Sequence, residues 1–275
     1  MSALLALAAS LSWGTSNYIA GIQTRRGDLW TVTLVSQIVA AMGAAAVLLF
    51  AGPPTLDLTH SLGPILGGVG GAIGVLCFYR ALAIGPLSLV SPIVATQAAV
   101  PVAVGLILGE RPGASAYAGM VLAIGGVVVV SLKSRDGSAS LRPLTIALAV
   151  VTAIVWGLML VGLRVGDADP SWAVFEARIS SVLAVILYVL VARKRIHAKA
   201  GTLPALAAVG LLYTVANIFV TQAIASGNLS VASVLGSLSP VVVIAYAQIL
   251  LHERLTARQW AGACSVLAGV VLLSM

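Results

Sequence analysis

Apolar residues along this chain come in long unbroken runs, separated by brief polar punctuation. A helix needs about 20 such residues to cross roughly 30 Å of hydrocarbon, so each run is a candidate membrane span. Ten spans are expected, over 3–22, 30–51, 62–84, 87–109, 113–132, 143–164, 171–192, 203–225, 229–251 and 256–274. The longest connections are 52–61, 133–142 and 193–202, so consecutive spans should be antiparallel neighbours in one bundle. The first run has no basic segment before it and carries Trp13, Asn17 and Tyr18, which predicts a retained helix rather than a cleaved signal.

Part of the pattern is written twice. The segment SPIVATQAAVPVAVGLILGER at 91–111 is matched by VLGSLSPVVVIAYAQILLHER at 234–254. Glu110 and Arg111 correspond to Glu253 and Arg254, Tyr117 and Gly119 to Trp260 and Gly262, and Trp13-Gly14 to Trp156-Gly157, all 143 residues apart. Trp30 and Trp172, and the segments 81–88 and 223–230, match at 142. The chain therefore reads as a tandem duplication, repeat 1 over 1–135 and repeat 2 over 140–275, forming one membrane domain. Each repeat holds five spans, an odd number, so the second must enter the membrane from the opposite face. The predicted fold is an all-α integral membrane protein of ten transmembrane helices in two inverted five-helix repeats. Secondary transporters use this design, with the substrate site at the repeat interface.

Composition narrows the reading. Only 8% of the 275 residues are charged, against about 25% in soluble domains, and mean hydropathy is +1.09. The net charge of +7 sits mostly in short loops, where Lys and Arg orient spans beside anionic lipid; nucleic acid is not an expected partner. Arg25, Arg26, Arg80, Lys133, Arg135, Arg142, Arg193, Lys194, Arg195, Lys199, Arg254 and Arg258 fall on one face, against Arg111, Arg164 and Arg178 on the other. That bias predicts an inner-membrane protein with both termini outside the cytoplasm. Cys77 and Cys264 lie inside apolar runs, which disfavours a disulfide framework or zinc site.

The acids Asp28, Asp57, Glu110, Asp136, Asp167, Asp169 and Glu253 lie in or beside loops, as do His60, His197 and His252. Glu176 and Arg178 are the only acid and base modestly inside a span, and could pair with each other or a neighbour. No cofactor, metal site or nucleophile–base set is expected, and so no enzyme. The candidates are instead polar and aromatic residues deep in spans, which are costly there unless used. They are Trp13, Asn17, Tyr79, Gln97, Trp156, Tyr213, Asn217 and Tyr246, proposed to bind substrate; the competing role for each is a helix–helix hydrogen bond. Trp13 and Trp156 are expected to flank an uncharged, aromatic–amide cavity. Pro92, Pro101 and Pro240 each remove a backbone hydrogen bond and should kink spans four and nine, which would suit a gate. At an offset of 143, Gln97 stands opposite Pro240, a polar break in the repeat. Glycines 63, 67 and 71 of span three are spaced for close helix packing.

The Trp-Gly-Thr-Ser-Asn of 13–17, the Gly-Pro-Leu-Ser of 85–88, and Pro240 followed by Glu253-Arg254 and Gly262 resemble the EamA-type drug/metabolite transporter superfamily. The resemblance spans both halves. Within it the chain looks most like the YddG-type amino-acid exporters. This implies a ten-helix transporter that exports amino acids, aromatic and other neutral ones, by alternating access. It implies a cavity lined by spans three, four, eight and nine, which selects Tyr79, Gln97, Trp156, Tyr213 and Asn217. Sugars, nucleobases or quaternary cations are the alternative solutes, and a non-transporting scaffold the remote one. The expected partners are a small-molecule substrate and membrane lipid, and the expected state is a monomer.

Overall fold

A computed structural model of the chain describes residues 2–49, 58–109, 111, 113–131, 141–165, 170–197, 199–225 and 238–273. Ten helical segments lie among them: α1 Ser2–Arg26, α2 Leu29–Leu48, α3 Leu58–Ile84, α4 Leu87–Ile107, α5 Ala114–Ser131, α6 Pro143–Val165, α7 Pro170–Val191, α8 Leu203–Ala225, α9 Ser239–Leu251 and α10 Ala257–Leu273. Each falls on a predicted span. Residues 229–237 of the ninth predicted span lie outside the described residues.

The most polar helix, α1, turns its polar side chains inward. Ser10, Ser12 and Ser16 are buried, and the Ser16 hydroxyl donates to the Val209 carbonyl of α8 at 2.8 Å. Its large apolar residues Leu4, Leu7 and Leu11 face outward. That arrangement inverts the soluble rule because the surrounding solvent is lipid: small residues let backbones approach, while leucines meet acyl chains.

The packing repeats itself when each helix is exchanged for the one five places on. The α1–α8 contact recurs as α3–α6, α2–α8 as α3–α7, and α1–α9 as α4–α6; α2–α7, α4–α9 and α5–α10 pair counterparts directly. The α5–α10 pair gives the inversion. A Cβ placed on Gly119 would lie 2.8 Å from the Gly269 carbonyl, and one on Gly126 would lie 2.7 Å from that of Gly262. Advancing along α5 means retreating along α10, so equivalent helices run antiparallel. The Ser265 hydroxyl donates to the Leu122 carbonyl at 2.9 Å, a bond between residues one repeat apart.

Two further glycines correct the register read from the sequence. A Cβ on Gly14 would press on Val242 and lie 2.9 Å from the Ser239 carbonyl; one on Gly157 would press on Val100 and lie 2.7 Å from the Gln97 carbonyl. The equivalent of Gln97 is therefore Ser239, at 142, and not Pro240. The compensating gap lies between these residues and the Glu110/Glu253 pair. An uninterrupted apolar helix offers no landmark there by which the sequence could place it.

The prolines behave differently from one another. In α4 a 3₁₀ turn over Thr96–Ala98 separates Pro92 from Pro101, as expected if each removes an i→i−4 bond. Pro240 sits in the first turn of α9, where a missing N–H leaves no bond unmade. It starts the described helix rather than kinking it.

Candidate functional site

Five helices bring polar and aromatic groups together inside the bundle. From α1, Trp13 meets Tyr213 of α8, ring centroids 6.5 Å apart and planes at 59°. From α7, the Arg178 guanidinium carbon lies 4.2 Å from the centre of the Tyr213 ring. Gln37 of α2 is buried; its amide nitrogen donates to the Ser181 hydroxyl at 2.8 Å, and its oxygen faces Arg178 Nη1 at 3.5 Å. Tyr79 of α3 is buried beside them, close to Ser36, Tyr213 and Arg178. Tyr213 lies near the middle of its helix, and Arg178 about two turns, ~12 Å, inside α7.

Three of the eight predicted residues, Trp13, Tyr79 and Tyr213, thus meet in one place. Asn217 stands half-buried one turn beyond Tyr213, and Asn17 half-buried one turn beyond Trp13. Trp156 is placed elsewhere: its indole N–H donates to the Gly71 carbonyl at 3.3 Å and its ring packs on Phe78 at 5.1 Å, within the α3–α6 interface. Gln97 sits half-buried in the 3₁₀ turn of α4. Tyr246 packs on Tyr18 at 5.0 Å and lies 3.3 Å from the Thr15 hydroxyl, towards one end of α1.

One expectation changes: the cluster is not uncharged, because the long Arg178 side chain reaches inward to it. Of the two pairings open to Glu176 and Arg178, with each other or with a neighbour, each takes a neighbour: Glu176 Oε1 accepts from the Ser61 hydroxyl at 2.7 Å, and Arg178 faces the Gln37 oxygen. Residues two apart on a helix point to different faces. The signal for Arg178 was present in the repeat, which aligns it with Ser36, another member of the cluster.

A second constellation lies at one end of the bundle, and only the duplication of Glu-Arg pointed to it in the sequence. His252 takes a left-handed conformation, φ 53°, that ends α9 and turns the chain toward Glu253. Glu253 then lies across the start of α4. Its Oε2 accepts from the Ser88 hydroxyl at 2.6 Å and the Ser88 N–H at 3.0 Å, and its Oε1 from the Leu87 N–H at 3.1 Å. A carboxylate there meets the positive end of the helix dipole. Arg25 Nη2 pairs with the same carboxylate at 3.2 Å. Arg25 also donates to the Leu82 and Gly85 carbonyls at 2.9 and 2.5 Å, capping the end of α3. One ion pair thus ties α1, α3, α4 and the α9–α10 turn together.

A family model described as the EamA-like transporter family matches residues 1–132 and again residues 143–275. No curated protein matches the chain. Sixteen chains of solved structures match it. One, titled only "Crystal structure of protein", is 18% identical, covers 98% of this chain and 95% of its own, and has a TM-score of 0.64. At that identity the likeness bears on the fold alone.

Proposed function

The chain belongs to the EamA-like transporter family, membrane transporters of small solutes, and from that premise we propose that it exports amino acids across the inner membrane by alternating access. The observation that carries the reading is the cluster of Trp13, Tyr79, Arg178 and Tyr213, which draws two residues from each repeat. Aromatic faces accept an apolar side chain, and N–H and O–H donors accept polar ends. Aromatic and other neutral amino acids combine both kinds of group in a small volume.

Inversion supplies the mechanism of access. Two similar halves of opposite orientation can exchange conformations, which exposes a site between them first to one face and then to the other. In this reading the Arg25–Glu253–Ser88 clamp is the gate at one end, because it ties α1, α4 and the α9–α10 turn together. With both termini outside the cytoplasm, that end is the cytoplasmic one. The 3₁₀ turn of α4 between Pro92 and Pro101 is the hinge in this reading. The equivalent positions in the repeat, Glu110 and Ser230, lie outside the described residues.

Export from cells tests the substrate class. Cells loaded with a phenylalanine dipeptide and overproducing the chain should release free phenylalanine faster than control cells, and Tyr213→Ala should return release to the control rate. Release of a sugar, nucleobase or quaternary cation with no amino acid moving would reassign the substrate.

A further inference from the structure

We propose that Arg178 is the carboxylate anchor of the transport site, so that accepted solutes must carry a free carboxylate. The proposal rests on the cluster described above being the site of transport and narrows what it takes.

An arginine inside a membrane span is costly, so its retention calls for a partner. Among the described residues none of the acids is that partner. The one described ion pair is Arg25–Glu253, and Glu176 is engaged by Ser61. A guanidinium presents five N–H donors in a planar fork. Among the described residues a single acceptor approaches it, the Gln37 oxygen at 3.5 Å, and Ser181 accepts from that amide's nitrogen. The Tyr213 ring covers one face of the fork at 4.2 Å. Covering a face leaves the donor edges free, the geometry that receives a carboxylate through two parallel bonds.

A second donor meets the same Tyr213 ring. The indole nitrogen of Trp13 is buried and lacks a hydrogen-bond partner among the described residues. The repeat explains why. The equivalent Trp156 donates to the Gly71 carbonyl, but the residue 142 positions after Gly71 is Tyr213, and Trp13 meets its ring instead. Arg178 and Trp13 thus flank one tyrosine with unfilled N–H groups. An ionised carboxylate is acceptor-only and complements them. A quaternary cation has nothing to accept these bonds and is repelled by the guanidinium.

Binding to the purified full chain tests this, with phenylalanine, phenylalaninamide, phenethylamine and 3-phenylpropionate as probes. Wild type should bind phenylalanine about 10- to 100-fold more tightly than its amide or the amine, the range expected for a charge-assisted bidentate bond. Arg178→Gln should bring the acid-to-amide ratio near one, and Arg178→Lys should keep part of it. Equal wild-type affinity for acid and amide would overturn the proposal and leave the amino-acid reading standing. Full discrimination in Arg178→Gln would overturn it as well. Binding of 3-phenylpropionate but not phenylalanine, lost in Arg178→Gln, would uphold the anchor and sink the amino-acid reading. If Arg178→Gln fails to fold, the wild-type ratio alone decides.

Discussion

Replacing Glu253 with alanine should open the clamped end of the bundle. The substitution strips Arg25 of its counter-ion, and Leu87 and Ser88 of the carboxylate that receives their N–H groups. Breaking a buried pair by removing one partner costs about 3–5 kcal/mol. The two side chains are 27% and 11% exposed, so solvent screening reduces this to about 2 kcal/mol. Every 1.4 kcal/mol is tenfold, so the ratio of clamped to unclamped molecules should fall roughly 30-fold. The readout is a cysteine at position 93, a fully buried site on α4, in a background where Cys77 and Cys264 are replaced. A membrane-impermeant maleimide on the cytoplasmic side should label it at least tenfold faster in Glu253→Ala than in the parent. Unchanged labelling, with transport intact, would make the clamp a static staple and not a gate.

Gly262→Leu should strike the fold itself. A Cβ at Gly262 would lie 2.7 Å from the Val130 nitrogen and 2.9 Å from the Gly126 carbonyl. Those are backbone atoms of α5, so no side chain can swing away to make room. Overpacking of this kind costs about 1–3 kcal/mol, and a full leucine should reach the upper end. The variant should melt several degrees lower in detergent and lose its monodisperse elution. Gly119→Leu, its equivalent in repeat 1, meets the Gly269 carbonyl at 2.8 Å and the Leu273 nitrogen at 2.9 Å and should do the same. Gly125→Ala is the control, because nothing lies within 4 Å of a Cβ there. A large loss from one glycine and none from its counterpart would count against the twofold arrangement.

The spans were legible because lipid imposes one rule on every helix, a sufficient length of apolar residues. Inversion was legible because five is odd. What was not legible depends on which way a side chain points. Trp13 and Trp156 are indistinguishable as sequence, each followed by glycine. The structure uses one indole N–H in the α3–α6 interface and leaves the other without a partner among the described residues, because Gly71 exposes a carbonyl where Tyr213 interposes a ring. Arg178 lies close enough to the end of α7 to read as a residue that snorkels outward; only its contact with Tyr213 shows that it turns inward. Glu253 read as a loop residue because the start of α4, which it caps, is far away in sequence.

Counterflow decides whether the two inverted repeats carry amino acids through a site between them. Purified protein in liposomes preloaded with unlabelled phenylalanine should accumulate labelled phenylalanine from outside, with no ion gradient imposed, and Tyr213→Ala should abolish the uptake. If no amino acid in a broad panel exchanges while a sugar, nucleobase or quaternary cation does, the account of the site is contradicted.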